Sequence, residues 1–207
     1  MSPSQYTTAD IEELARAAQR DGFCVIPGVF PKDMLRAWRE AFTPLLEAHI
    51  AREGHMKNRG AERYYVTLPF TAPFAEPRIY ENEAVLGVVS RLVGADMVMC
   101  QLATDTPLLG SEYQDIHRDT PPLFPEIEQE TPAFQLAVNF PLVDVGLDNG
   151  PTEIARGTHM VTKAEGMRRL DAGEVKLEPV PMELGDVMVR DVRGLHRGTP
   201  NRTNEPR

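Results

Sequence analysis

The sequence predicts one mainly β domain with helices at its front, a sandwich or barrel flanked by helices. Three observations predict it. Apolar residues recur at helical spacing in three segments before Gly94. Beyond Gly94 no helix longer than a couple of turns is evident, and short apolar runs alternate with turn signals. The 207 residues, 42% of them hydrophobic, suit one domain with a core, at most with a small appendage. Residues 1–95 form the helical flank and first strands of this domain, and 96–207 its β core.

Ile11, Leu14, Ala15 and Ala18 fall on one stripe of a helix over 9–20, with Thr8 as its N-cap and Asp21-Gly22 as its exit. "FCVIPGVF" reads as a short buried strand interrupted by Pro27-Gly28. A second helix opens at Pro31 and carries Met34, Leu35, Trp38, Phe42, Leu45, Leu46 and His49 on one stripe, with a kink expected at Pro44. Residues 53–80, rich in proline and aromatics, read as irregular chain, either packed over the core or walling a pocket. "NEAVLGVVSRLVG" is one more short helix. "DMVMCQLATDT", "FQLAVNFPLV" and "DVMVRDV" then read as strands, separated by the turns "LDNG", "ARGTH", "ELGD" and "RGTPN".

Chemistry concentrates in "YQDIHRDTPPLFPE", residues 113–126. A strand repeats every two residues, so His117 and Asp119 share a face while Arg118 points away. Two neutral imidazoles and one carboxylate on one side of a metal leave positions open for a cosubstrate and dioxygen, the pattern of mononuclear iron(II) oxygenases. The second histidine must come from elsewhere in the chain, and the downstream candidates are His159 and His196. His196 is preferred, because "GDVMVRDVRGLH" delivers it at the end of a strand, whereas His159 follows a Gly-Thr turn and reads as a hydrogen-bonding loop residue. His49 and His55, on or just after a surface-type helix, are discounted as ligands.

The proline-stiffened segment after Asp119 reads as a lid, with Leu123 and Phe124 facing a pocket; Glu126, Glu128 and Glu130 read as a solvated face. A net charge of −9 disfavours nucleic acid and anionic membranes as partners. No apolar run reaches bilayer length, no secretory signal opens the chain, and the two cysteines read as small buried hydrophobes, so a cytoplasmic location is expected.

Several motifs together resemble a known family. "GF-VIPGVF", "IHRD", "LDNGPTEIARGTH", "GDVMVRDVRGLH" and "HRGTPNRTNEPR", spread over nearly the whole chain, look like the phytanoyl-CoA dioxygenase family of iron(II)- and 2-oxoglutarate-dependent oxygenases. The resemblance implies a double-stranded β-helix, or jelly-roll, core with iron at its mouth. It implies His117, Asp119 and His196 as the iron ligands, and 2-oxoglutarate as cosubstrate alongside dioxygen. The family's carboxylate-gripping arginine lies eleven residues after the second histidine, which gives Arg207, with Arg202 as the fallback. Thr104 and Thr203 match positions where the family often carries a polar residue near the cosubstrate. Family members usually continue past this arginine, so the chain either is shortened there or stops ahead of a further tail.

Retention of Asp119 disfavours halogenation, which in related enzymes uses a small residue at that place. The activity implied is hydroxylation of an aliphatic C–H bond with release of succinate and carbon dioxide. With no basic cluster set for a coenzyme A phosphate, the expected substrate is a small metabolite or natural-product intermediate. The alternatives are a jelly-roll metalloenzyme using zinc or manganese, and a non-catalytic binding module that keeps the fold.

Overall fold

The computed structural model of the chain describes residues 5–54, 59–127 and 129–207. His55 and Glu128 lie outside the described residues. The first helix, α1 (Thr8–Asp21), is capped one residue earlier than the sequence reading had it. Thr7, not Thr8, accepts from Asp10 N at 3.2 Å, and the Asp10 carboxylate accepts in return from Thr7 N at 2.8 Å. The helix ends at Gly22, whose positive φ of 88° lets its N–H return to Ala18 O. Strand β1 (Phe23–Ile26) follows, then α2 (Lys32–Glu53), which continues through Pro44 as one 22-residue element. His49 of α2 is buried against the Tyr64 ring rather than at the surface.

The segment read as irregular contains a strand, β2 (Arg63–Thr67), and a short helix, α3 (Pro77–Tyr80). After α4 (Glu83–Val93), capped by Asn82, the chain forms no helix or strand until β3 (Ala103–Pro107), though Leu102 O already accepts from Leu68 N at 3.0 Å. Val98, placed in a strand by the sequence, is 84% exposed, because no neighbouring strand covers it. Next come β4 (Leu136–Asn139), β5 (Thr152–Ala155), a 3-10 turn (Thr158–Met160) and α5 (Lys163–Asp171). The nine residues of α5 went unread as a helix: they carry little apolar periodicity, and burial within them is confined to Gly166, whose missing Cβ leaves room for Leu195. Strands β6 (Leu177–Val180), β7 (Val187–Asp191) and β8 (His196–Gly198) complete the order.

The strand pairs among the described residues are antiparallel. Two three-stranded sheets, β1-β7-β4 and β6-β5-β8, contribute the apolar cluster between them, in which Phe23 and Met188 of the first sheet meet Ile154 and Val180 of the second. The opposite face of the first sheet, through Ile26, Val187 and Val189, packs on α1, α2 and α4 around Trp38 and Leu35. The β2-β3 pair joins this larger cluster through Tyr64 and Val66, which leaves Arg63 and Tyr65 on its other face. Among the described residues no helix is long and apolar enough to cross a membrane.

Candidate metal centre

Residues 114–119 lie beside β8 and the turn before it without forming a continuous ladder. Gln114 N donates to Gly198 O, His117 and His196 exchange both backbone bonds at 3.0 Å, and Asp119 N donates to Val192 O. This pairing sets the two histidine rings 4.4 Å apart between centroids. His117 Nδ1 is 2.7 Å from Asp115 O, and His196 Nδ1 is 2.9 Å from Gly194 O. A carbonyl only accepts, so each Nδ1 carries a proton, and it is Nε2 that holds the lone pair in the neutral form of either ring. Those Nε2 atoms lie 3.7 and 3.4 Å from Asp119 Oδ1, and the three prospective ligand atoms all fall within 4.8 Å of one another.

Electrostatics suit the same use. Burial, reinforced by the Arg190 charge, pushes the His196 imidazole below its usual range and keeps it neutral. Burial alone would raise the Asp119 carboxyl, but His196 and Arg190 together hold it well below the usual carboxylate range. Two imidazoles and an ionised carboxylate on one side form the donor set that fits iron(II), and the backbone carbonyls behind both rings favour the tautomer that a metal requires. His49 and His159 take no part; His159 Nε2 instead donates to Gln19 O at 3.0 Å, the structural role read from the sequence.

Arg118 points away from the ligands, as strand spacing predicts, into a buried ionic network. Its Nη1 lies 2.6 Å from Glu130 Oε1, and Glu130 Oε2 lies 3.4 Å from Arg193 Nη1. Arg193 in turn holds Asp191 at 2.6 Å. Glu130, read as part of a solvated acidic face, is therefore a buried bridge between the two ligand-bearing segments. Its charge matched its neighbours in the sequence, and burial became visible only when two distant arginines met it. The tip of the same loop is open, with Leu123 51% and Phe124 47% exposed.

A second cluster of charge lies one step along the β2-β3 pair. Arg63, 1% exposed, donates from Nη2 to Thr199 O at 2.6 Å, and its Nη1 is 3.5 Å from Asp105 Oδ2. Arg207 turns inward beside it, bonded through Nη2 to Gly150 O, and burial pushes its guanidinium down to about 10. Arg63 Nε and Nη1 and Arg207 Nε are all buried without a hydrogen-bond partner. Arg63 pairs with the half-exposed Asp105 carboxylate, whose charge also reaches Arg207, and the unused donors of both guanidinium groups fit a further carboxylate such as that of 2-oxoglutarate. Gln114, three residues before His117, faces the same spot, since its Oε1 accepts from Gly198 N.

Not all the sequence-chosen residues join this cluster. Thr104 stands opposite Val66 in the ladder, on the face turned from Arg63, and its buried hydroxyl has no hydrogen-bond partner; Asp105 occupies the inward position. Thr203 bonds Asn201 Oδ1 at 2.8 Å and caps the turn that brings Arg207 inward. Arg202 is exposed. Sequence reasoning missed Arg63, Arg190 and Gln114. The signal available for Arg63 was a charged residue in an otherwise apolar-aromatic run, "RYYV".

Known proteins resemble this chain in sequence and in fold. The family model for phytanoyl-CoA dioxygenase (PhyH) matches residues 18–207. The multifunctional dioxygenase ausE of Emericella nidulans is 23% identical over 210 residues, covering 95% of this chain and 70% of that protein. Among solved structures, the non-heme alpha ketoglutarate dependent carbocyclase SnoK from nogalamycin biosynthesis superposes with a TM-score of 0.77 at 18% identity, covering 98% of this chain and 83% of that one. The epimerase SnoN, solved with Fe3+, alpha ketoglutarate and nogalamycin RO, gives 0.69 at 20% identity, covering 97% and 81%.

Proposed function

The chain belongs to the phytanoyl-CoA dioxygenase family, and from that premise we propose that it is an iron(II)- and 2-oxoglutarate-dependent dioxygenase hydroxylating an unactivated C–H bond of a small metabolite or natural-product intermediate, with release of succinate and carbon dioxide. The observation that carries this reading is the convergence of His117 Nε2, His196 Nε2 and Asp119 Oδ1 next to a pair of arginines with unused buried donors. On this reading the two three-stranded sheets are the halves of a double-stranded β-helix.

His117, Asp119 and His196 would hold the iron. When bound, iron and 2-oxoglutarate supply from dioxygen the oxidising power that a protein side chain lacks. The chain's own residues do the rest. Arg207 and Arg63 grip the distal carboxylate of 2-oxoglutarate, and Gln114 lies between that grip and His117. Tyr65 faces the same side as Arg63, one pleat on and within electrostatic reach of Asp119, so the inner face of β2 leads from the cosubstrate end to the ligand carboxylate. Leu123 and Phe124, on the loop leaving Asp119, supply apolar surface that closes over substrate and excludes water.

The test is an anaerobic titration with iron(II) and then 2-oxoglutarate, reading the weak visible charge-transfer band of a chelated 2-oxo acid, followed by succinate release in air. A band and succinate support the reading; metal binding with neither overturns it. Product mass then separates hydroxylation, which adds one oxygen atom, from ring closure, which removes two hydrogens, and from epimerisation, which leaves the mass unchanged.

A further inference from the structure

Strand β7 sends Arg190 between the two sheets, where its side chain is 12% exposed. Its Nη2 lies 2.7 Å from Asp119 Oδ2, and its Nε donates to Asn139 Oδ1 at 3.1 Å. The remaining nitrogen, Nη1, is buried with no hydrogen-bond partner, so the holds on Asp119 and Asn139 are the ones this guanidinium makes among the described residues. The β4-β7 register explains the reach. Ala137 stands directly opposite Arg190, and Asn139 follows two residues later on the same face, so the guanidinium crosses a methyl group to meet the amide.

The Asp119 carboxylate is divided as a result. Oδ1 faces His117 Nε2 and His196 Nε2 at 3.7 and 3.4 Å, while Oδ2 faces the arginine. Resting on the reading of these three residues as metal ligands, we propose that Arg190 is a positioning residue that holds Asp119 by its outer oxygen and reserves Oδ1 as the single carboxylate atom offered to the metal.

The physical case is one of orientation against charge. A carboxylate free to turn no longer keeps one oxygen directed at the place the two imidazole nitrogens face, and its part in holding a metal is weakened. The arginine fork, fixed at Nη2 and Nε, prevents that turn; a lysine, a single point charge on a flexible stem, does not reproduce a two-point hold. The guanidinium charge itself repels a divalent cation. That repulsion is offset by the outer oxygen it touches, so loss of orientation dominates when the arginine is removed.

The test needs no turnover. Manganese(II) is titrated into the metal-free full chain and the free ion is read by electron paramagnetic resonance, with far-ultraviolet circular dichroism to confirm folding. Arg190→Leu is expected to bind manganese roughly 10- to 100-fold more weakly, the range typical for losing a group that orients a metal ligand. Arg190→Lys, which keeps the charge and loses the fork, is expected to lie between Arg190→Leu and the wild type. Affinity in Arg190→Leu equal to or tighter than wild type overturns the proposal, since a bystander cation gives that result. Where Arg190→Leu fails to fold, Asn139→Ala removes the Nε anchor alone; weaker manganese binding supports the clamp, and wild-type affinity overturns it. A wild-type chain that binds no manganese or iron overturns the ligand assignment itself, a result distinct from a wild type that binds and a variant that does not differ.

Discussion

Arg118 Nη1 lies 2.6 Å from Glu130 Oε1, with the two side chains 4% and 7% exposed, and the same carboxylate reaches Arg193. One arginine stands between His117 and Asp119 in the chain, and the other three residues before His196. Glu130 therefore ties both ligand-bearing segments together from the side away from the metal face. Removing one partner of a buried ion pair leaves an uncompensated charge, so Glu130→Gln is expected to cost about 3 kcal/mol or more. Urea unfolding measures this, and an unchanged midpoint rejects the bridging role.

Asp119→Ala removes the one anionic ligand. The variant is expected to show no charge-transfer band with iron(II) and 2-oxoglutarate and to lose succinate release by orders of magnitude. Full activity in this variant would sink the metal assignment.

Arg63→Ala and Arg207→Ala each remove part of the proposed carboxylate grip. A charge-assisted hydrogen bond in a buried place contributes about 2 kcal/mol, so the 2-oxoglutarate KM is expected to rise roughly 30-fold in each. Arg202→Ala, altering an exposed side chain, is expected to leave it unchanged. A KM that moves with Arg202 and not with Arg207 reverses the assignment.

Gly198 has no side chain for a steric reason. A Cβ there would stand 2.6 Å from Arg63 Nη1 and 2.7 Å from Gln114 Oε1. Gly198→Ala is expected to displace Arg63 and weaken 2-oxoglutarate binding while manganese binding survives, because the nearest atoms the added Cβ would meet belong to Arg63 and Gln114 and to none of the three metal-site side chains. Equal loss of both points instead to general collapse of β8.

His159 carries the clearest pH effect away from the metal. Burial pushes its imidazole below the usual 6.5, with Nδ1 lacking a partner and Nε2 donating to Gln19 O. The folded state keeps the ring neutral while the unfolded chain takes up a proton below about 6.5, so the unfolded state binds more protons and stability falls as pH drops through that value. The stabilisation is complete above the unfolded pKa. Urea midpoints at about pH 7.5 and about pH 5 are expected to differ less in His159→Gln than in the wild type. An equal difference in both removes His159 from the acid sensitivity.

The sequence by itself determined three of the helices, because α1, α2 and α4 announce themselves by periodic apolar residues, and α1 and α4 also by side-chain caps that need no distant partner. It also suggested, from strand period, that His117 and Asp119 share a side from which Arg118 is excluded; the segment keeps that alternation about the isolated His117–His196 bridge although it forms no strand. Motif order carried the family. What only tertiary structure decided depends on which segments meet. β2 lay hidden in a proline- and aromatic-rich run because its identity as a strand comes from β3, nearly forty residues on. The face of Thr104 was set by that register, which turned Asp105 inward instead. Glu130 became a bridge and Arg63 and Arg190 became site residues because burial brought each beside charges remote in sequence, and in a buried setting a charge takes its meaning from its neighbours.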